Sequence, residues 1–278
     1  MSLILINSLS GGKTSSYMAA HYAADYNIFS LVRIASRKFK DEAIRQIVED
    51  RIQKPFIGTA EDDAIIYTML DLEQHIGKAI TWVSGQTFDE IIEAKGGYIP
   101  NKIARYCTTE LKTMPILEWV ITNIDSVPSM NFGYRANEGR RVSKMLERCE
   151  NGIIRVKASF EKHQDGRNKW ELFDYCAPKF PLYEDGIHKD QIESYWQGKP
   201  VRFAYMNNCV GCFWKSPLLL HKMYERQPSK MEWFNEQEQK TGNRWRSDVS
   251  YKSIKNYKPQ IELFEDDFNE CDNGTCGI

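Results

Sequence analysis

The sequence predicts an α/β fold built on a parallel, Rossmann-like sheet, and two observations lead to this prediction. In the first half of the chain, short apolar runs alternate with amphipathic stretches that have helical spacing. The first run, Leu3–Ile6, passes directly into a turn of glycines and hydroxyl residues and then into a helical pattern. Strand–helix alternation of this kind favours parallel strands with helices on both faces of the sheet.

Five strands and five helices are predicted in order along this half. Helical spacing is clear in the second helix, where Ile44, Ile47 and Val48 share one face with Ile52. Pro115 is expected near the start of the last helix or at a bend in it. The predicted strands are Leu3–Ile6, Phe29–Ile34, Ala79–Val83, Met130–Tyr134 and Ile153–Val156. The predicted helices are Thr14–Asp25, Asp41–Ile52, Asp62–Ile76, Phe88–Lys95 and Thr109–Ile124.

The alternating pattern weakens after about residue 160. The segment His163–Asn168 is typical of an exposed loop or a hairpin turn. From Tyr195 onward the sequence is rich in aromatic residues, lysine and short breakers, and it holds most of the closely spaced cysteines. We therefore divide the chain into a nucleotide-binding α/β domain, residues 1–195, and a smaller irregular or helical region, residues 196–278.

Composition narrows the function classes. The 278 residues include 37 Lys and Arg against 38 Asp and Glu, so a globally basic nucleic-acid binder is not indicated, although a local patch is allowed. No apolar stretch is long enough to cross a bilayer and Met1 begins no signal-peptide pattern, which predicts a cytoplasmic protein without a membrane partner. Seven cysteines in such a chain favour metal or redox chemistry over disulfides.

The turn after the first strand is predicted to bind phosphate. Its adjacent glycines allow close backbone approach, and free amides at a helix start favour an anion. Gly12-Lys13-Thr14 matches the second half of the NTPase loop G-x-x-x-x-G-K-[ST], but that loop's first glycine would fall at Asn7. The predicted phosphate-binding residues are Ser8, Ser10, Gly11, Gly12, Lys13, Thr14 and Ser15.

A different loop fits better. Ser10–Ser15 resembles the pyrophosphate loop S-G-G-x-[DT]-S of the N-type ATP pyrophosphatases and phosphoadenosine phosphosulfate (PAPS) reductases. Four further elements resemble that superfamily's PAPS reductase-like branch and occur in the family order. They are Cys107–Pro115 (C-x-x-x-[RE]-K-x-x-P), Gly133–Arg141 (G-x-R-x-x-[EQ]-S-x-x-R, with Gly139 at the usual serine), Pro178–Trp196, and Cys209–Cys212 (C-x-x-C).

The resemblance implies an adenine nucleotide α-hydrolase-like (HUP) fold that binds ATP, PAPS or adenosine phosphosulfate, with Mg²⁺. Thr14 stands where an acid that helps place magnesium is common, which leaves room for a binding module without catalysis. Lys13 would act in catalysis. The further nucleotide-binding residues implied are Lys112, Arg135, Glu138 and Arg141.

The resemblance also implies a [4Fe–4S] cluster. Cys107, Cys209 and Cys212 stand at matching places, and the fourth family cysteine is replaced by Tyr106. Either three cysteines hold the cluster and leave one iron open, or Cys271 or Cys276 completes it. A zinc site of Cys209, Cys212, Cys271 and Cys276 is the alternative. Cys149 and Cys176 are interpreted as ordinary thiols.

Two activities follow from the resemblance. In the first, ATP adenylates an acceptor, a nucleic acid or a small molecule, and sulfur from a donor displaces AMP. In the second, Cys276 attacks PAPS or adenosine phosphosulfate, and a thioredoxin-like reductant releases sulfite; here Thr275 replaces the family's glutamate. The two true glycines of the loop favour the first. A non-catalytic nucleotide-binding module with structural zinc is the third reading, and a homo-oligomer is compatible with each.

Overall fold

A computed structural model of the chain describes residues 3–207 and 209–257. The strands are β1 Leu5–Leu9, β2 Tyr26–Ser30, β3 Arg33–Ile34, β4 Gly58–Thr59, β5 Ile80–Val83, β6 Ser129–Asn131, β7 Cys149–Glu150, β8 Ile153–Lys162 and β9 Asn168–Lys179. Seven of them form one sheet in the order β5-β2-β1-β6-β9-β8-β7, and β3 pairs with β4 separately.

The central part of the large sheet is parallel. Strand β1 pairs in parallel with both β2 and β6, and β6 pairs in parallel with β9. The strands beyond β9 are antiparallel, because β8 returns along β9 and β7 returns along β8. The sheet is therefore mixed and mostly parallel, which confirms the α/β class and is compatible with a Rossmann-like core. The antiparallel edge follows from the tight turn after β8, which reverses the chain instead of crossing over through a helix.

Helices connect the strands. They are α1 Lys13–His21, α2 Glu42–Ile52, α3 Ala64–Ile76, α4 Phe88–Ala94, α5 Tyr106–Thr108, α6 Met114–Asn123, α7 Gly139–Leu146, α8 Pro181–Glu184, α9 Lys189–Trp196, α10 Pro217–Arg226, α11 Pro228–Thr241 and α12 Tyr251–Lys255. A π-helical turn, Thr109–Thr113, joins α5 to α6, and a 3₁₀ turn, Ala136–Glu138, precedes α7. The helix starts have physical causes: Asp41 accepts a hydrogen bond from the Ile44 amide, and Thr87 with Glu90 forms a capping box before α4.

Most predicted elements exist, with shifted ends. The predicted strand Phe29–Ile34 was wrong in its bounds: β2 ends at Ser30, and Arg33–Ile34 forms a separate short strand that pairs with β4. Residues 27–34 are all buried, so burial continues across the break and hydropathy alone does not show it. The hairpin turn predicted at His163–Asn168 is present between β8 and β9. Pro115 is the second residue of α6, near a helix start as predicted, and it follows directly on the π-helical turn Thr109–Thr113.

The chain divides into two compact units. The first comprises residues 1–29, 71–81 and 116–201, and the second comprises residues 30–70, 82–115 and 202–278. Buried aromatic side chains fill the core of the second unit, where Phe88, Trp233, Phe234 and Trp245 contact one another. In the first unit, Ile6, Met18 and Met130 are fully buried around β1. Within the part of the chain that is described, no helix is both long and apolar enough to span a membrane.

Candidate functional site

The phosphate loop lies in the first unit, between the end of β1 at Leu9 and the start of α1 at Lys13. Gly11 has φ of +80°, in the left-handed region where glycine is favoured. Gly12 is the N-cap, with extended backbone and no side chain to cap the helix. The first amides of α1 therefore keep their capacity to bind an anion, which the helix dipole favours.

Two serines fix the shape of this loop. The backbone amide of Ser10 donates to Ser15 Oγ at 3.1 Å, and the two hydroxyl oxygens lie 3.1 Å apart. Ser15 Oγ in turn donates to the Gly12 carbonyl at 3.2 Å. The loop is thus closed across its base by hydrogen bonds between its own residues. Ser8, in β1, and Thr14, in the first turn of α1, are both half-buried beside it.

The loop lysine already has a partner. Lys13 Nζ forms an ion pair with Glu193 Oε2, which comes from α9, and the two side chains are 32% and 31% exposed. The indole Nε1 of Trp196, one turn further along α9, donates to the Lys13 carbonyl at 3.0 Å. Helix α9 therefore holds Lys13 by both its side chain and its backbone. The charge of Lys13 is therefore already paired within the chain.

The arginine segment after β6 lies next to the loop. A Cβ atom built on Gly133 would lie 3.4 Å from Ser15 Cα, an ordinary van der Waals contact. Arg135 is buried, and its Nε lies 3.2 Å from Glu138 Oε2, which also accepts from the Arg135 amide at 2.8 Å. Arg141 pairs with the other oxygen of Glu138 and stacks over the Tyr134 ring at 4.1 Å. Glu138 thus organises two guanidinium groups beside the phosphate loop.

The cysteines of the resemblance form a separate cluster in the second unit. Cys107 belongs to the short helix α5, and Cys209 and Cys212 lie in a turn closed by a hydrogen bond from the Cys212 amide to the Cys209 carbonyl at 3.0 Å. Residue 209 also forms an antiparallel bridge with Glu61, just after β4. Gly211 is required in this turn, because a Cβ there would lie 2.4 Å from Phe234 Cγ.

The three thiols share one environment. Burial raises the pKa of Cys107 to about 11, and the neighbouring Cys212 adds to this shift. Burial also raises the pKa of Cys209, with Glu61 as the next contribution and Cys212 and Cys107 as smaller ones. By surface area the three side chains are only half-buried, so part of each is reachable from solvent. Without a bound cation the Cys107 and Cys209 thiols are therefore protonated at neutral pH.

Buried cations surround the backbone of this turn. Lys215 Nζ donates to the Cys209 carbonyl at 2.6 Å, although the residue is only 2% exposed. Arg246 Nη1 donates to the carbonyls of Phe213 and Lys215, at 2.9 and 2.7 Å. Tyr251 Oη donates to the Gly211 carbonyl at 2.8 Å. These donors fix the turn, and Arg246 also pairs with Asp248. The charge of Lys112 lowers the pKa of both Cys107 and Cys209.

A buried carboxylate adjoins the cluster. Glu61 is fully buried, and its Oε1 accepts from Lys112 Nζ at 2.8 Å. Its Oε2 has no hydrogen-bond partner among the described residues. Lys230, also buried, donates to the Glu61 carbonyl oxygen and to Asp63 Oδ1, the latter at 2.6 Å. The structure thus pairs Lys112, predicted as a nucleotide ligand, with a carboxylate beside Cys209.

The remaining cysteines divide into two groups. Cys176 is fully buried, and Cys149 donates weakly to the Met145 carbonyl at 3.4 Å. Cys271 and Cys276, predicted as further ligands or as a nucleophile, lie outside the described residues. Among residues 3–207 and 209–257, no three His, Cys, Asp or Glu side chains converge closely enough for a metal ion. Cys107, Cys209 and Cys212 nevertheless have the donor chemistry of an iron–sulfur or zinc site.

Sequence reasoning missed two acidic residues. Glu61 begins the run Glu61-Asp62-Asp63 after a short strand, a signal that resembles an ordinary helix start. Glu193 lies in the element Pro178–Trp196, from which no site residue was predicted, and it is 180 residues from the lysine that it contacts. Its only signal was a polar residue on an amphipathic helix. No family model matches the chain, and no curated protein matches it.

Proposed function

We propose that the chain is an enzyme of the pyrophosphate-loop type that binds ATP at Ser10–Ser15 for sulfur chemistry. The observation that carries this proposal is the backbone of the loop. Gly11 is left-handed, Gly12 begins a helix without a side-chain cap, and Lys13 follows at the first helical position. Open amides and a lysine at the end of a central parallel strand are the requirements of a phosphate site.

The residues of the loop have distinct tasks in this proposal. The amides of the first turn of α1 donate to phosphate oxygens, and the Ser10–Ser15 hydrogen bonds keep those amides in position. The Lys13 ammonium group exchanges its partner Glu193 for the pyrophosphate, and it neutralises the negative charge of the pyrophosphate as that group leaves. Arg135 and Arg141, held by Glu138, supply further donors for phosphate oxygens.

The reaction that this site supports is adenylation. A carbonyl or phosphate oxygen of the acceptor forms a bond to the α-phosphorus of ATP, and the bond to the pyrophosphate oxygen breaks. A sulfur nucleophile then displaces AMP from the activated acceptor. Mg²⁺ bound with the nucleotide would share the negative charge of the phosphates. Lys13 is the residue of this chain proposed to act on the leaving pyrophosphate.

We assign Cys107, Cys209 and Cys212 as the residues that would hold a [4Fe–4S] cluster or, alternatively, zinc. Support comes from the electrostatic coupling of the three thiols and from Lys112, whose charge lowers the pKa of both Cys107 and Cys209. A cluster would supply a site that carries or transfers sulfide. The chain holds Cys209 and Cys212 on one turn that Gly211 and Tyr251 fix, and it supplies Cys107 from the short helix α5.

The experiment incubates anaerobically purified protein with Mg²⁺ and either ATP or PAPS. Release of pyrophosphate from ATP supports the proposal. Release of sulfite from PAPS would instead support the reductase, and neither product would support a binding module. Lys13→Ala should abolish pyrophosphate release, whereas Lys38→Ala, an exposed lysine paired to Glu42, should not.

Metal content is tested separately. Iron and acid-labile sulfide should be present in anaerobic protein and lost in Cys209→Ala, while zinc without iron would support the alternative. Cys149→Ala is the matched control, because Cys149 is half-buried but shows no coupling to Cys107 or Cys212. Unchanged metal content in Cys107→Ala and Cys209→Ala would refute the assignment.

A further inference from the structure

The hairpin of β8 and β9 presents an exposed apolar face. Leu172 lies opposite Lys157 in the register, and Trp170 precedes Leu172 by two residues. Because alternate residues of a strand share a face, these three side chains lie on the same side of the hairpin. Trp170 is 53% exposed and Leu172 is 56% exposed. Trp170 and Leu172 therefore form an apolar pair whose surface is about half in solvent.

The opposite face of the hairpin has a different environment. Val156 and Ala158 are buried, and Phe160 packs edge-to-face on Phe173 with ring centroids 5.3 Å apart. The hairpin is therefore anchored through this face at Val156 and Ala158, whereas Phe160, nearer the turn, is 39% exposed. The turn at its end is closed by a hydrogen bond from the His163 amide to the Arg167 carbonyl at 2.8 Å.

The charges of the hairpin favour an anionic partner. Residues 153–179 contain six Lys and Arg against four Asp and Glu. All four acids are paired with cations of the same hairpin: Asp174 with Arg155, Asp165 with Arg167, and Glu161 and Glu171 with Lys169. Lys157, Lys162 and Lys179 form no ion pair with any described residue. The acids are neutralised, so the positive charge of these lysines remains available.

We propose that this face, defined by Trp170, Leu172 and Lys157, binds single-stranded nucleic acid. An exposed indole offers a stacking platform for a base of any sequence, and the unpaired Lys157 offers charge to the phosphate backbone. The face combines an aromatic ring with a cation, which a purely apolar protein partner would not require. Binding of the strand does not depend on the proposed function; only the further step, in which the bound strand is the sulfur acceptor, rests on it.

The test measures fluorescence anisotropy of labelled DNA and RNA oligonucleotides with the full chain and no ATP. Trp170→Ala should weaken binding by about 5- to 150-fold, the loss expected for one stacked base, and Trp170→Phe should retain most of it. Lys157→Gln should reduce the dependence of log affinity on log salt by about 0.7, the contribution of one phosphate contact. Because ATP is absent, failure of this test leaves the adenylation assay unaffected.

Matched controls come from α7 in the same unit. Leu146 is 51% exposed, and Lys144 is exposed without an ion pair among the described residues. Leu146→Ala and Lys144→Gln should leave oligonucleotide affinity unchanged, and thermal unfolding should show that all variants are folded. Equal affinity in wild type and Trp170→Ala would overturn the proposal. So would oligonucleotide-independent dimerisation that Trp170→Ala abolishes, since a second copy would then be the partner.

Discussion

Replacing Glu193 by glutamine tests whether the phosphate loop exchanges an internal anion for its ligand. In the ligand-free chain, Lys13 is neutralised by Glu193, so the measured affinity for phosphate contains the cost of breaking that pair. Glu193→Gln removes the competing charge and keeps the size of the side chain. We expect pyrophosphate and ATP to bind more tightly to this variant than to the wild type.

The magnitude follows from the exposure of the pair. Both side chains are about one third exposed, so solvent screens their attraction and the pair is worth about 0.2–1 kcal/mol. Removing this competition corresponds to a dissociation constant about 1.4- to 5-fold lower. The gain should shrink as salt is raised, because the pair that it replaces is itself screened.

The assay is calorimetric titration with pyrophosphate and with ATP at two salt concentrations. Asp190→Asn is the control, because it removes one negative charge from the same helix at an exposed residue without an ion pair among the described residues. A similar gain in affinity in Asp190→Asn would mean that the effect comes from net charge. Weaker binding in Glu193→Gln would refute the reasoning and would mean that Glu193 takes part in holding the ligand.

Three further predictions concern the cysteine region. Gly211→Ala should lower the free energy of unfolding in urea by about 1–3 kcal/mol, because its Cβ would overlap Phe234; an unchanged midpoint would contradict the clash. Lys112→Met should cost about 1–3 kcal/mol by leaving the buried Glu61 unpaired, and a double variant with Glu61→Gln should recover most of the loss; additive losses would contradict the pairing. In the metal-free chain, the contribution of Cys107 to the free energy of unfolding should be fully present below pH 9 and should be lost as pH rises to about 11, because folding raises the Cys107 pKa from 9.0 to about 11. Cys107→Ala should flatten this fall in an alkaline titration followed by circular dichroism.

Local sequence patterns were sufficient for the five predicted helices and for the turn between β1 and α1. The helix that begins after Asp41 was predicted because its apolar spacing is a local signal. The β8–β9 turn was likewise readable from a short polar segment containing Gly166, which has φ of +81°. The boundary between β2 and β3 could not be predicted from the sequence. Both strands are buried, so the pairing partner changes there without a change in burial.

Charge pairing at the two candidate sites could not be predicted in the same way. A motif identifies a lysine by its neighbours in sequence, but its partner is set by the topology that brings distant segments together. Lys13 meets a carboxylate from 180 residues away, and Lys112 meets one from 51 residues away. Neither Glu193 nor Glu61 belongs to a pattern that marks function. Sequence therefore located Lys13 and Lys112 and missed their carboxylate partners.

This asymmetry changes what a lysine in a phosphate-loop motif implies about affinity. An ammonium group that is half-buried in a folded protein is more stable beside a carboxylate than alone, so an unliganded anion site tends to contain its own counterion. Lys13 then contributes to binding only the difference between the free energies of its ion pairs with phosphate and with Glu193. This difference is smaller than the free energy of one complete ion pair. The backbone amides of α1 have no such competitor, because Gly12 supplies no capping side chain. It follows that most of the net phosphate affinity of this loop should come from its glycines and its helix start, and that Lys13 should matter more for the charge of the leaving group than for binding.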